Sequence, residues 1–317
     1  AFARFIEQLT PRDTSSFEKP VQAFVMQIKQ VSMKHVRFRL KDENVQNDYG
    51  HNSMDYEDLD ISDASLQAHD FRLVGDSLNF FVDRLSGREK SGFVLKELRS
   101  HIILSGKVFY FKGLNAETNH SHIAMDYFMD AAGWDSYAYF IDSVKLRANF
   151  KPSVLYMPDI GYFANSMFLM KDTLQVKTGI FKGVISHFQT HDFYVSYGRN
   201  TRLLADFSIK GLPDFYTSKI QADVQSFTTM ASDLKAFTLP LDSMSHLPIP
   251  IDLPEMKPID FSGNFNGSYY NFVSDLQMKM AENSHLSIHS SYRAGRQSPR
   301  YVDLKIEGNQ FPLGLWV

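Results

Sequence analysis

Apolar and polar residues alternate with a period of two along much of this chain, the signature of strands with one dry and one wet face. Phe24, Met26 and Ile28 open the pattern, and Val36, Phe38 and Leu40 then alternate with Arg37, Arg39 and Lys41, which predicts a pair of strands. Further on, Val144, Leu146, Ala148 and Phe150 oppose Lys145, Arg147 and Asn149, and Ala205, Phe207 and Ile209 oppose Asp206, Ser208 and Lys210. The same rhythm returns at Ile220, Ala222 and Val224, at Leu276, Met278 and Met280, and at Val302, Leu304 and Ile306. Strands with one wet face belong to antiparallel sheets, because strands of a parallel sheet are apolar on both faces.

Helical spacing is sparse. Phe2, Phe5, Ile6 and Leu9 fall on one helix face before Pro11 ends the run, and short helices are expected near 134–142, 158–169 and 230–237. Residues 42–56 are polar and rich in turn formers, and read as a loop. Pro240, Pro248, Pro250, Pro254 and Pro258 forbid regular ladder pairing through most of 238–258, which reads as a crossing between strand blocks. The expected organisation is therefore an N-terminal helix, strand pair and loop (1–56), a strand block with short helices (57–237), the Pro-rich crossing (238–258) and a further strand block (259–317).

Three segments resemble one another. Asn119-His120-Ser121-His122-Ile123, Asn200-Thr201-Arg202-Leu203-Leu204 and Asn283-Ser284-His285-Leu286-Ser287 each read as a turn entering a strand. Their hydroxyl residues are separated by 80 (121 to 201) and 83 (201 to 284), and Gly106, Gly183 and Gly267 precede them. Asn tolerates the left-handed conformation and Ser or Thr bonds the local backbone, so both residue types suit tight turns. A period near 80 is one multi-strand unit, too long for the rung of a parallel β-helix. Short Asn-Ser/Thr turns also recur by chance in β proteins.

Composition narrows the chemistry. The 317 residues can bury a sizeable core, and 33 Lys+Arg against 36 Asp+Glu give a net charge of -3, which leaves no field to attract nucleic acid. The absence of cysteine removes disulfides, thiolate nucleophiles and Cys-containing zinc sites. Apolar runs such as Val108-Phe109-Tyr110-Phe111 are far shorter than the roughly 18 residues needed to span a bilayer. The opening at Ala1 without a methionine and the apolar end at Leu315-Trp316-Val317 suggest a piece of a longer chain.

His120 with His122 and His187 with His191 could each hold a metal, but no carboxylate cluster at ligand spacing accompanies them, so no cofactor is expected. Asp126 and Asp130 could form a glycosidase pair, yet acidic pairs arise freely among 36 acidic residues. Ser86-Gly87-Arg88-Glu89-Lys90-Ser91-Gly92 lacks the order of a phosphate-binding loop and reads as a charged hairpin turn. No nucleophile-elbow motif is present either, and no enzyme is expected.

Leu85-Ser86-Gly87-Arg88-Glu89-Lys90-Ser91-Gly92-Phe93, Gly198-Arg199-Asn200-Thr201-Arg202-Leu203 leading to Gly211-Leu212-Pro213-Asp214, and Ile259-Asp260-Phe261-Ser262-Gly263-Asn264-Phe265 with Tyr270-Asn271-Phe272 carry a family likeness. They resemble the AsmA/TamB-like proteins of the bacterial cell envelope, particularly the large Bacteroidetes versions, over roughly 57–309. The resemblance implies a mainly β fold: an elongated, curled antiparallel sheet forming an open groove, with a few short capping helices. It also implies a periplasmic repeat protein, anchored in the inner membrane by a segment outside this stretch. Such a protein carries phospholipid along the groove toward the outer membrane, or serves as a scaffold in outer-membrane protein assembly and secretion. The family's N-terminal membrane helix and its C-terminal domain are not found in this sequence, so membrane contact is expected only through other segments.

The expected partners are phospholipid acyl chains and outer-membrane barrel assembly proteins. Leu146, Ala148, Phe207, Ile209 and Ile220 are expected to line the groove, with Val224, Met278, Met280, Ile288 and Leu304. The same alternation also fits an ordinary sandwich core. A carbohydrate-binding β protein, supported by the abundance of Phe and Tyr, is a further alternative.

Overall fold

The computed structural model describes residues 25–41, 53–133, 139–212, 214–239, 258–281, 284–294 and 300–309, together with Ser136 and His246. The chain is mostly strand, and sixteen strands belong to one antiparallel sheet. Two compact units divide it, the first Ala1–Ala148 with Ser153–Phe168, the second Asn149–Pro152 with Leu169–Val317.

The first unit contains β1 (Val25–Lys41), β2 (Asp58–Val74), β3 (Ser77–Glu89), β4 (Val94–Leu104), β5 (Val108–Glu117) and β6 (His122–Asp130). Each pairs antiparallel with the next. A short helix α1 (Phe140–Ser143) leads into β7 (Lys145–Phe150), then β8 (Ser153–Tyr156), which pairs with β6, and helix α2 (Met157–Gly161). Its core is one face of the meander. Ala68, Phe80, Val82 and Ile102 are buried there, with Leu66, Leu85, Leu98 and Phe111 packed around them.

Where two N-terminal strands were expected, the chain forms one. Nothing between Ile28 and Val36 breaks a strand, and β1 runs unbroken from Met26 and Ile28 through Val36, Phe38 and Leu40, Phe24 lying outside the described residues. The phase between them is reset at His35, which adopts φ 52° where the register with β2 shifts. A bulge of this kind inserts one residue and bends the strand without ending it. The expected helix over the first ten residues and most of the Pro-rich crossing lie outside the described residues.

The second unit contains β9 (Thr173–Val184), β10 (His187–Tyr197), β11 (Thr201–Lys210), β12 (Lys219–Thr229), helix α3 (Ala231–Ala236), β13 (Ile259–Ser268), β14 (Asn271–Ala281), β15 (Ser284–Arg293) and β16 (Tyr301–Asn309). Pairing follows chain order from β9 to β16. The expected alternating strands at Ala205–Ile209, Ile220–Val224, Leu276–Met280 and Val302–Ile306 all fall inside these elements. The helices are short, as expected. Among the described residues no helix is long and apolar enough to cross a membrane.

The repeat has a backbone counterpart. In β5 Gly113 takes φ 62°, and its N–H donates to Asp126 Oδ1 on β6 at 2.6 Å. In β10 Asp192 takes φ 50°, and its N–H donates to Asp206 Oδ1 on β11 at 2.7 Å. Both sit at a register shift, so each carboxylate satisfies the amide that the bulge removes from the ladder. The two devices are 79 (113 to 192) and 80 (126 to 206) residues apart, matching the step between Ser121 and Thr201. The β14–β15 pair has no bulge at the matching place, where His289 pairs with Asp275 at 2.6 Å instead.

The candidate binding face and its polar clasps

Directly paired residues of an antiparallel ladder share a face, so the registers of the second unit sort every strand residue. One row runs Phe181, Thr190, Phe207, Ala222, Phe265, Ser274, Ser290 and Leu304, one residue per strand from β9 to β16. Beside it runs Gly183, Phe188, Ile209, Ile220, Gly267, Phe272, Tyr292 and Val302. On the other side lie Ala205, Val224, Gly263, Leu276, Ile288 and Ile306, then Leu203, Phe227, Phe261, Met278 and Leu286. The rows form one largely apolar face, interrupted by Thr190 and by the hydrogen-bonded pair Ser274 and Ser290. Aromatic contacts tie them together, with Phe181 and Phe188 4.5 Å apart and Phe265 and Phe272 5.2 Å apart between ring centroids.

Seven of the ten expected lining residues, Phe207, Ile209, Ile220, Val224, Met278, Ile288 and Leu304, share this face. Leu146 and Ala148 are buried in the first unit, on β7. The side chain of Met280 lies outside the described residues. Burial along the face is incomplete: Met278 and Ala205 are buried, Phe207, Ile209, Ile220, Val224 and Ile288 are half-buried, and Leu304 is 54% exposed. The face is therefore only partly covered among the described residues.

The opposite face is polar. Asp206, Asp223 and Asn264 line one shallow depression there with His191, and Asp275, His289, Lys305 and Glu307 line another. Phe207 and Phe265 also border the first of these depressions.

The histidine and aspartate pairs singled out from sequence have structural partners. His122 Nε2 lies 3.2 Å from Asn115 Nδ2, His191 Nδ1 lies 3.7 Å from Asp206, and Asp126 serves the Gly113 bulge. Among the described residues no group of three or more His, Cys, Asp or Glu could hold a metal ion.

Sequence reasoning found the repeated hydroxyls but not what holds them. Ser121, just before β6, donates to Asp159 Oδ2 in α2 at 2.7 Å; Thr118 donates to the same oxygen, and Ser121 Oγ accepts the Tyr156 N–H at 2.9 Å. Asp159 is only 7% exposed. Thr201, opening β11, donates to Asp233 Oδ2 in α3 at 2.9 Å, and the Asn200 N–H reaches the same oxygen at 2.9 Å. Helices α2 and α3 are thus each fastened to the sheet by a first-turn aspartate that accepts bonds from a hairpin.

A second fastening joins α3's far end to β9. Asp172 Oδ2 accepts both the backbone N–H (2.8 Å) and the hydroxyl of Thr238. Burial pushes the Tyr197 hydroxyl far above the usual tyrosine range, and its hydrogen bond to Asp172 adds to the rise. The folded state therefore holds this proton more tightly than the unfolded chain. Its contribution is fully present below the ordinary tyrosine value of about 10 and is lost as pH climbs beyond it. We expect urea midpoints to fall progressively above pH about 10, and Tyr197→Phe to show a shallower alkaline decline. An unchanged alkaline slope in that variant would refute the assignment.

Comparison with protein families, with curated proteins and with solved structures finds no match for this chain. Within the second unit the chain is an antiparallel meander with one largely apolar face.

Proposed function

We propose that the chain is a non-catalytic lipid-holding segment of a bacterial cell-envelope protein, of the AsmA/TamB-like kind, and that its apolar face takes phospholipid acyl chains. The supporting observation is the set of apolar rows across eight strands of the second unit, half-buried where a packed core would be closed. Each methylene placed against such a surface contributes about 0.8 kcal/mol, so two acyl chains bind without any specific polar contact. The rows are one residue deep and continuous from strand to strand, which suits a flexible chain sliding across them better than a rigid ligand. In this reading the segment works in the periplasm, between the membranes.

Adjacent residues on opposite faces provide the test. Phe207 faces the apolar rows, while Asp206 pairs with Asp223 on the polar side. A photo-crosslinking residue at position 207, in cells, is expected to capture lipid detectable by mass spectrometry, and the same residue at 206 is expected to capture none. Equal capture at both positions, or none at either, would overturn the reading.

A further inference from the structure

The connections at one end of the second unit gather tyrosines. Tyr216, between β11 and β12, meets Tyr269 and Tyr270 of the β13–β14 turn, with ring centroids 5.2 and 6.1 Å away. Tyr269 and Tyr270 are 40% and 43% exposed, and the Tyr270 carbonyl accepts the Ala294 N–H, just beyond β15, at 2.8 Å. An exposed tyrosine offers an apolar body with a polar tip, the combination that settles where water meets hydrocarbon.

The same end is basic. The last row of the ladders holds His187, Lys210 and Lys219 on β10 to β12, then Asn271, Arg293 and Tyr301 on β14 to β16. Lys210 lies directly opposite Lys219, a like-charge pair that costs a sheet stability. Lys210, Lys219 and Arg293 are exposed, and among the described residues none of them has an ion pair or a side-chain hydrogen bond. The one carboxylate of the 211–218 connection, Asp214, accepts bonds from the Thr217 hydroxyl and from the N–H groups of Tyr216 and Thr217. In sequence, 294–300 adds Arg296 and Arg300 and no acid.

One residue inward lies the row with Phe188, Ile209, Ile220, Phe272, Tyr292 and Val302. Uncompensated cations beside tyrosines and an apolar row call for a partner with anions at its surface and hydrocarbon beneath. The cations spread from β11 to β15, about 19 Å at the usual strand spacing. That is too far to converge on one small anion, and it suits a surface bearing many.

We propose that this end of the second unit rests on a bilayer surface carrying anionic phospholipid, with Tyr216, Tyr269 and Tyr270 at headgroup level and Lys210, Lys219 and Arg293 against the phosphates. The inference rests on the lipid-holding reading and deepens it, since acyl chains leaving that surface would meet Ile209 and Ile220 next. In this arrangement the segment touches a membrane itself, not only through other parts of the protein.

The full 317-residue chain is mixed with vesicles of phosphatidylcholine, or of equimolar phosphatidylcholine and phosphatidylglycerol, and binding is read by flotation. Binding is expected to the anionic vesicles and should fade with added salt. Lys210→Gln with Lys219→Gln should weaken it about 25-fold, about fivefold for each basic residue at such a surface. The thermal midpoint of that variant should hold or rise, because the like-charge pair is gone. Tyr269→Ser with Tyr270→Ser should weaken binding several-fold. Arg202→Gln with Lys279→Gln makes the same charge change at the other end of these strands and should bind like the parent. Equal binding to both vesicles, no binding, or equal losses from the two charge variants overturns the proposal. Preference for polygalacturonate over vesicles would also overturn it, by making the partner an acidic polysaccharide. The crosslink at position 207 separates this inference from the reading it extends: lipid capture there without vesicle binding sinks the membrane contact alone, and vesicle binding without capture supports the contact and sinks the lipid-holding face.

Discussion

Replacing Gly263 by valine should unlock β13 and β14, with a loss of about 4 kcal/mol from backbone strain and overpacking together. Gly263 sits in β13 at φ 140°, a conformation that side chains rarely adopt. A Cβ there would collide with the Asp275 carbonyl oxygen and come within 2.9 Å of Leu276 Cα, both backbone atoms of the paired strand. Because the obstruction is backbone, no rotamer change relieves it. Hydrogen exchange should show lost protection from Ile259 to Ala281 while β2 to β4 in the first unit keep theirs. Gly113 is the control: φ is 62°, but a Cβ there meets nothing within 4 Å, so Gly113→Ala should cost only about 1 kcal/mol. Similar losses at the two sites would show that close approach to β14 is not what selects glycine at 263.

The second large effect concerns the clasps. Asp159→Ala removes one carboxylate oxygen that accepts bonds from both Thr118 and Ser121, leaving two hydroxyls in a buried setting without their acceptor. Hydrogen bonds to a charged group contribute about 1.5–3 kcal/mol each, and these two share one acceptor, so a loss of about 3–4 kcal/mol is expected. Asp159→Asn keeps an acceptor oxygen and should lose about half as much. The damage should be local. Exchange should accelerate at the 118–122 hairpin and in α2, while β13 to β15 remain protected. Uniform acceleration across both units, or none, would contradict the role given to this aspartate.

How much of this was legible beforehand varies with the physics involved. Strand positions were readable because a one-sided sheet writes period two into the sequence, as at Ala205, Phe207 and Ile209. That Phe207 and Ile209 share one side of β11, and Ile220 and Val224 one side of β12, followed from parity alone. Which strand neighbours which needs the register, and the register is set by hairpins and bulges. The reset at His35 left no mark that separates it from a break between two strands. Nor was the left-handed Asp192 visible, since its stabilising partner Asp206 looks like any polar residue of an alternating strand. The clasps were hidden for another reason. Asp159 lies 38 residues beyond Ser121 (121 to 159), and among 36 acidic residues nothing local distinguishes it. The hydroxyl end of each clasp could be found by repetition; the carboxylate end could not.

The chain-order pairing of β9 to β16 has a kinetic consequence. Each ladder closes across a turn or a short connection, except where 230–258 intervenes, so little loop entropy is spent before contacts form. Hairpins can zip one after another as the polypeptide emerges, each new strand using the last as its template. Assembly of such a meander is vectorial: it can begin before the whole sequence has been delivered, and it never requires the first strand to find the last.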